Sequence, residues 1–449
     1  MKKDLTEGRV IKTMLLFAGP MIMGNMLQQL YNIADTLIVG RALGPDALAA
    51  VGSAYTLMTF LTSILIGLCM GSGAAFSYYF GKRAQRQMKD SICIAFVWIG
   101  GMAAILNTVV IVFMKQILQM LRIPEELFAM MEEYTGIVFW GICFVFLYNF
   151  FAYLLRAVGN SVVPLYFLGG TAVLNVILDL LFVVGFHWGI GGAAIATVIS
   201  QAVSGIGIGS YTWWKEPALR IHREDIRFAK ENVKEIVHFS VSASVQQSVM
   251  NFGILMVQGL VNSFGPAVMA AFAAGVKIDT FAYMPAQEFG NAFSLFISQN
   301  HGAGKKDRVK EGTKGAVKVS MLFCIGISFL VFLFAEQLMM IFVSPSDTEI
   351  IRIGAGYLRI EGIFYCGIGV LFLLYGYYRG MNRPGISLVL TVISLGTRVV
   401  LAYVLAPIPQ IGVIGIWSAI PIGWFLADTA GLLYMRKLMA GQESGEREQ

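Results

Sequence analysis

Long apolar runs separated by short polar breaks dominate this chain. A helix needs about 20 residues to cross the hydrocarbon of a bilayer. Twelve runs meet that length, at roughly 13–40, 47–80, 92–119, 131–155, 161–187, 190–214, 236–263, 267–299, 315–342, 352–378, 384–407 and 411–435. Several are long enough to predict tilt or kinks. Pro20, Pro164 and Pro285 fall inside or at the start of runs, where a kink is expected. The fold class predicted is an all-α integral membrane protein of twelve transmembrane helices.

The polar breaks repeat. At an offset of about 221 residues, Gly44-Pro45 falls on Gly265-Pro266, Ser77 on Ser298, Gly81 on Gly302 and Lys89 on Lys310. At about 223, Arg156 falls on Arg379, Gly189 on Gly412 and Gly192 on Gly415. Two six-span halves entering the membrane in the same sense imply a pseudo-twofold axis along the membrane normal. Such a pair of bundles would face each other across a central cavity and suit alternating access. The expected organisation is an N-terminal six-helix lobe (1–214), a charged cytoplasmic linker (215–235) forming a short surface helix, a C-terminal six-helix lobe (236–437) and a disordered tail (438–449).

Composition agrees with a membrane setting. The chain is 57% hydrophobic and 13% charged, with a mean hydropathy of +0.70, where a soluble chain carries about 25% charge. The polar start "MKKDLTEGRVIKT" and the long run after it argue against a cleaved signal peptide. The net charge of +6 sorts by loop. Most Lys and Arg fall in the N-terminal segment and in alternate loops, such as Lys82–Lys89, Lys215–Lys234 and Lys305–Lys314. The other loops hold only Arg41, Lys115, Arg122 and Arg352. By the positive-inside rule both termini are cytoplasmic, and the basic charge marks topology rather than a nucleic-acid surface. The five cysteines lie in apolar runs without CxxC spacing, and the four histidines are scattered, so neither disulfides nor a zinc site is expected. "GAGKK" (302–306) lacks the flanking Gly and Ser/Thr of a P-loop. Any transport would therefore run on an ion gradient, without a bound cofactor.

Candidate chemistry rests on charges inside the spans. A carboxylate well inside a span costs roughly 2.5–3.5 kcal/mol on insertion scales and usually marks function. Asp35, in "YNIADTLIVG", and Asp179, in "NVILDLLFVV", are two such residues. Both lie about 9–12 Å from the outer end of an outward-running span. Tyr31 and Gln28 share the face of Asp35, and Asn175 shares that of Asp179. Burial and a neighbouring like charge both penalise the ionised form, so the pair reads as a proton relay or cation site, or else as two acids satisfied by neighbouring hydroxyls and amides. Under the repeat, Asp35 falls on Met256, Asp179 on Ala402 and Asn175 on Arg398, so the acidic pair belongs to one half only. Lys277, Glu288, Glu361 and Arg398 are candidates to line a cavity, and Glu361 with Arg398 could instead form a structural ion pair. Asp428 reads as interfacial, as do Arg156 and Arg379.

Taken together, "AGPMIMGNMLQQLYNIADTLIVGRALGPDALAAVG" (18–52) and "FISQNHGAGKKDR" (296–308), within twelve spans in two lobes, resemble the multidrug and toxic compound extrusion (MATE) family, within the wider multidrug/oligosaccharidyl-lipid/polysaccharide flippase superfamily. The resemblance covers nearly the whole chain. It implies an ion-coupling site at Asp35, Asp179, Asn175, Tyr31 and Gln28, joined by Thr197, and bending of the first span at Pro20. Sodium could bind at Asp35, Asp179 and Asn175. The function implied is a secondary antiporter of the cell membrane, acting as a monomer and exporting small organic, often cationic and amphipathic, compounds in exchange for protons or sodium ions. A lipid-linked saccharide flippase is the nearest alternative; a polytopic membrane enzyme or a channel would be a different class.

Overall fold

The computed structural model describes residues 4–120 and 125–447, with the side chains of 45, 223, 254 and 439–447 outside that description. Arg122, a residue of the sparse loops, lies outside the described residues, as do the side chains of nearly all of the expected disordered tail. Among the described residues the regular structure is entirely helical.

The first half runs α1 (Val10–Leu43), α2 (Pro45–Gly81), α3 (Gln85–Val112), α4 (Met114–Met120), α5 (Glu125–Phe139), α6 (Ile142–Ala157), α7 (Val162–Asp179) and α8 (Gly189–Lys215). The second runs α9 (Lys230–Asn262), α10 (Pro266–Gly302), α11 (Lys306–Leu333), α12 (Ala335–Met339), α13 (Thr348–Ile363), α14 (Tyr365–Gly380), α15 (Pro384–Leu405) and α16 (Val413–Arg447). Among the described residues, nine helices are long and apolar enough to cross a membrane, and two bent pairs bring the number to eleven. The run at 236–263 lies in α9, which falls short of that hydropathy because Gln246, Gln247, Asn251, Gln258 and Asn262 dilute it.

The bent pairs are the expected spans 131–155 and 352–378. α5 and α6 meet at 45°, and α13 and α14 at 53°. Each break closes through tight i→i−3 bonds, Gly141 N–H to Val138 at 2.9 Å and Phe364 N–H to Glu361 at 2.9 Å. Residues 141 and 364 are 223 apart, so the break itself repeats. Backbone conformation repeats as well. Positive φ occurs at Gly44 and Gly265, Arg83 and Gly304, Gly159 and Asn382, and Gly189 and Gly412. Gly44, at φ 89° and ψ −175°, holds a conformation open essentially to glycine alone. Pro45 then starts α2 where a missing N–H costs nothing.

Pro20 and Pro285 lie inside α1 and α10, each leaving the carbonyl four residues earlier without its helical donor. Pro164 sits in the first turn of α7, where proline is tolerated, and Pro421 lies inside α16.

The chain forms two compact units. The first comprises the stretch ending at Gly8, Leu15–Val245 and Ser298–Gly304; the second comprises Arg9–Met14, Gln246–Ile297 and the residues from Lys305. In the first, α2 packs on α3, α5 and α6, and α8 on α5, α6 and α7. In the second, α14 packs on α11, α15 and α16, and α15 on α16. Small residues set the closest approaches. A Cβ on Gly71 would lie 2.2 Å from the carbonyl oxygen of Phe239, so only glycine admits this crossing of α2 and α9.

The linker differs from the expected surface helix. It makes two short 3₁₀ turns, Pro217–Leu219 and Arg223–Asp225, and is then held by a buried carboxylate. Asp90, 3% exposed at the start of α3, accepts the backbone N–H groups of Arg227, Phe228 and Ala229 and the side-chain amide of Asn232. It thereby caps the free donors before and within the first turn of α9. Lys89 adds a 3.0 Å ion pair to Asp225. The backbone N–H of His222 and then Lys89 hold the Asp225 carboxyl below its ordinary range. A carboxyl depressed on folding stabilises fully above its unfolded value, about pH 4, and that contribution fades as pH falls through the folded value.

Two outcomes follow for the linker. Asp90→Ala removes one acceptor from four donors and is expected to cost on the order of 2 kcal/mol or more, read as a lower melting temperature and faster tryptic cleavage at the exposed Arg227. The wild-type linker should keep its protease resistance down to pH 5 and lose it only in stronger acid.

Candidate functional site

Asp35 and Asp179 come together inside the first unit. α1 carries Tyr31 and Asp35 on one face, and α7 carries Asn175 and Asp179 on another. α7 ends at Asp179 and continues as a π-helical turn, Leu180–Gly185, closed by Phe186 N–H on Leu181. π-turns insert an extra residue and re-aim the side chains beside them, often at functional positions. The two carboxyls approach each other closely enough to interact, short of a well-formed hydrogen bond. Asp179 is fully buried and Asn175 nearly so. Asp35 Oδ1, both oxygens of Asp179, and both amide atoms of Asn175 are buried without a hydrogen-bond partner.

Tyrosines wall this pair. Tyr31 lies near Tyr55, Asp35, Tyr148 and Asp179. Tyr134, from α5, lies near Asp35, Asp179 and Tyr31, and its hydroxyl is within reach of Thr197 on α8. Thr197 also donates to the Ala193 carbonyl at 3.1 Å. Thus Asp35, Tyr31, Asp179, Asn175 and Thr197 share one region, together with Tyr134 and Tyr148, which hydropathy alone did not single out. Gln28 is exposed. Pro20 is four turns below Asp35 on α1 and half-buried.

The donors available here are carboxylates, an amide and hydroxyls, all hard oxygen ligands of the kind that suit a proton or an alkali cation. Among the described residues no group of three or more His, Cys, Asp or Glu could hold a metal ion.

The second unit holds its own buried cluster. Asp279 on α10 is 3% exposed and accepts hydrogen bonds from Tyr357, at 2.7 Å, and from Tyr365. Glu361 approaches Asp279 and Tyr357, with Arg398 and Tyr283 nearby. Among the described residues no ion pair joins Glu361 to Arg398, so that reading of the sequence is not met. Asp279 is one of the charges that the sequence places in this half, without a site role assigned to it. Its signal is a carboxylate inside the apolar run 267–299.

Other charges are placed as follows. Lys277 is exposed and lies 5.9 Å over the Phe342 ring. Glu288 is buried and accepts from Asn291 at 3.2 Å. Arg379, expected at the interface, is only 4% exposed and donates to Asn291 and Gln246. Asp428, also expected there, is buried because its side of α16 packs against Gly367 of α14.

Comparison with known proteins agrees with this architecture. The MatE family model matches twice, at residues 20–181 and 242–404, once in each half and at nearly the repeat offset. These matches cover more than half of the chain, and the chain belongs to the MatE family. "Probable multidrug resistance protein YpnP" of Bacillus subtilis is 29% identical, over 96% of each chain. "Probable multidrug resistance protein NorM" of Thermotoga maritima is 25% identical, over 96% of this chain and 93% of that one. A transporter of the MOP superfamily from Pyrococcus furiosus superposes with a TM-score of 0.90 at 22% identity, over 98% of both chains, and a MATE protein crystallised with MaL6 with 0.89 at 23%. At that identity the structures show a shared fold, the twelve-helix arrangement in two bundles.

Removing one tyrosine donor from Asp279 should destabilise without touching the first unit. Tyr357→Phe and Tyr365→Phe are each expected to cost about 1–3 kcal/mol, measured as thermal unfolding of the detergent-solubilised protein. An unchanged melting temperature in the double variant would show that Asp279 is satisfied elsewhere.

Proposed function

We propose that this chain is a secondary antiporter of the cell membrane that exports small organic compounds, often cationic and amphipathic, in exchange for protons or sodium ions. The observation that carries the reading is the group of five unpartnered buried polar atoms on Asp35, Asn175 and Asp179. Such groups in a membrane interior are costly unless a ligand meets them. Family membership and the multidrug names of the relatives supply the substrate class. The coupling ion is a co-substrate, and the cycle involves no covalent step and no cofactor.

Both termini are cytoplasmic in this reading, which the distribution of Lys and Arg supports. The outer half of α1 then carries Asp35. A proton or sodium ion arriving from outside binds between Asp35 and Asp179, with Asn175 and Thr197 as further oxygen donors. Two adjacent carboxylates repel each other, and the bound cation relieves that repulsion. The change in local charge alters the packing of α1 against α7. Pro20, which interrupts the hydrogen-bond ladder of α1, lets the helix bend. Bending releases substrate outward, and departure of the ion on the cytoplasmic side then resets the carboxylates. The chain acts as a monomer.

Transport of ethidium in everted vesicles, under separately imposed proton and sodium gradients, tests the scheme. Asp35→Asn and Asp179→Asn are each expected to reduce gradient-driven transport at least about tenfold at normal expression, in line with loss of a charge that must bind the ion. The wild-type response names the ion. Full activity in Asp35→Asn would overturn the mechanism.

A further inference from the structure

The first turns of α11 carry lysine at every fourth position: Lys306, Lys310, Lys314 and Lys318. Residues four apart on a helix are neighbours, and like charges at that spacing are destabilising. Lys310, Lys314 and Lys318 are all exposed, on a row about 12 Å long. Among the described residues, none of the three takes part in an ion pair. Asp307 and Glu311 flank the row without pairing with it. Farther along the helix, Leu322 and Ile325 are exposed apolar residues, 73% and 56%. The lysines therefore end where the lipid-facing surface begins.

The other half of the repeat shows that the fold does not require this row. At the offset of 221 the same positions are Lys89, Cys93 and Val97. Lys89 is neutralised by Asp225, and Val97 is an exposed apolar residue. Asp225 itself falls on Asp4, and Asp4 accepts from Thr6, from both its N–H and its hydroxyl. Among the described residues no anion takes that place in the second half, and two further cations stand at positions that are Cys and apolar in the first.

We propose that the Lys310–Lys314–Lys318 face of α11 is a binding site for the phosphate headgroup of an anionic phospholipid. The occupant follows from chemistry and place. A phosphodiester supplies the missing negative charge, its acyl chains continue along Leu322 and Ile325, and a lysine stem can lie along them with its ammonium at the headgroup. On the orientation proposed above this is the cytoplasmic leaflet; the site itself does not depend on the transport reading.

The test uses the full chain purified in detergent, with thermal unfolding followed while short-chain phosphatidylglycerol is titrated. Parallel titrations use phosphatidylcholine of the same chain length and inorganic phosphate. Phosphatidylglycerol is expected to raise the melting temperature saturably, and the other two are not. Each lysine near an anionic headgroup contributes about fivefold in affinity, so K310Q/K314Q/K318Q should shift half-saturation on the order of a hundredfold. The charge-preserving K310R/K314R/K318R variant should respond as wild type, as should Lys89→Gln in the other half. If the triple Gln variant does not fold, Lys318→Gln carries the test, with an expected shift of about fivefold. An unchanged response in the Gln variants would overturn the site, as would loss of response in the folded Arg variant. An equal effect of phosphatidylcholine or of inorganic phosphate would also overturn it, because the ligand would then not be an anionic lipid.

Discussion

Two carboxyl groups facing each other in a membrane interior are the constraint around which the first unit is arranged. Among the described residues no cation acts on Asp35 or Asp179, and neither oxygen of Asp179 has a donor. An ionised carboxylate in such surroundings is expensive, and a second one beside it adds Coulomb repulsion that low dielectric does little to screen. The surrounding elements supply position rather than neutralisation. α1 carries Asp35 one turn from Tyr31, a π-turn follows Asp179 at the end of α7, and Tyr134 and Tyr148 lie close by.

The repeat separates scaffold from chemistry. Positive-φ turns, tight breaks at 141 and 364, and glycine-to-backbone approaches recur at offsets of about 221–223, because they set helix lengths and crossings in both halves. Lys89 and Arg156 recur as Lys310 and Arg379, but the polar groups of the candidate site do not. Asp35 becomes Met256, Asp179 becomes Ala402, Asn175 becomes Arg398, and the Lys89–Asp225 pair becomes an open lysine row. Backbone geometry constrains both copies alike, whereas each polar group answers only to its own neighbours.

What was legible in the sequence follows the same division. Hydropathy marks most spans, since long apolar runs have few other uses. α9 is diluted by its glutamines, yet its run at 236–263 is still long enough to be read as a span. Asp35 and Asp179 stood out because each is the only charge in its run. Tyr134 and Tyr148 did not, since tyrosine is ordinary in membrane helices and nothing in local sequence shows what its hydroxyl meets. Distance to a helix end alone puts Asp428 and Arg379 at the interface. Distance along a helix does not reveal which side faces a neighbour, and both face inward.

Saturation of buried carboxylates distinguishes their roles more sharply than burial does. Asp90, Asp179 and Asp279 are all at most 3% exposed. Asp90 accepts three backbone N–H groups and an amide, and so fastens the linker to α3. Asp279 accepts two tyrosine hydroxyls and ties α10 to α13 and α14. In both, the protein supplies the donors, and the carboxylate serves as a fixed joint whose removal strands its partners. Asp179 receives none, although Asn175, Thr197 and Tyr134 lie close by. A carboxylate with its hydrogen bonds already made has little to gain from a passing ion. One that is positioned but unpartnered gains most, and that difference in free energy is what a transport cycle can couple to.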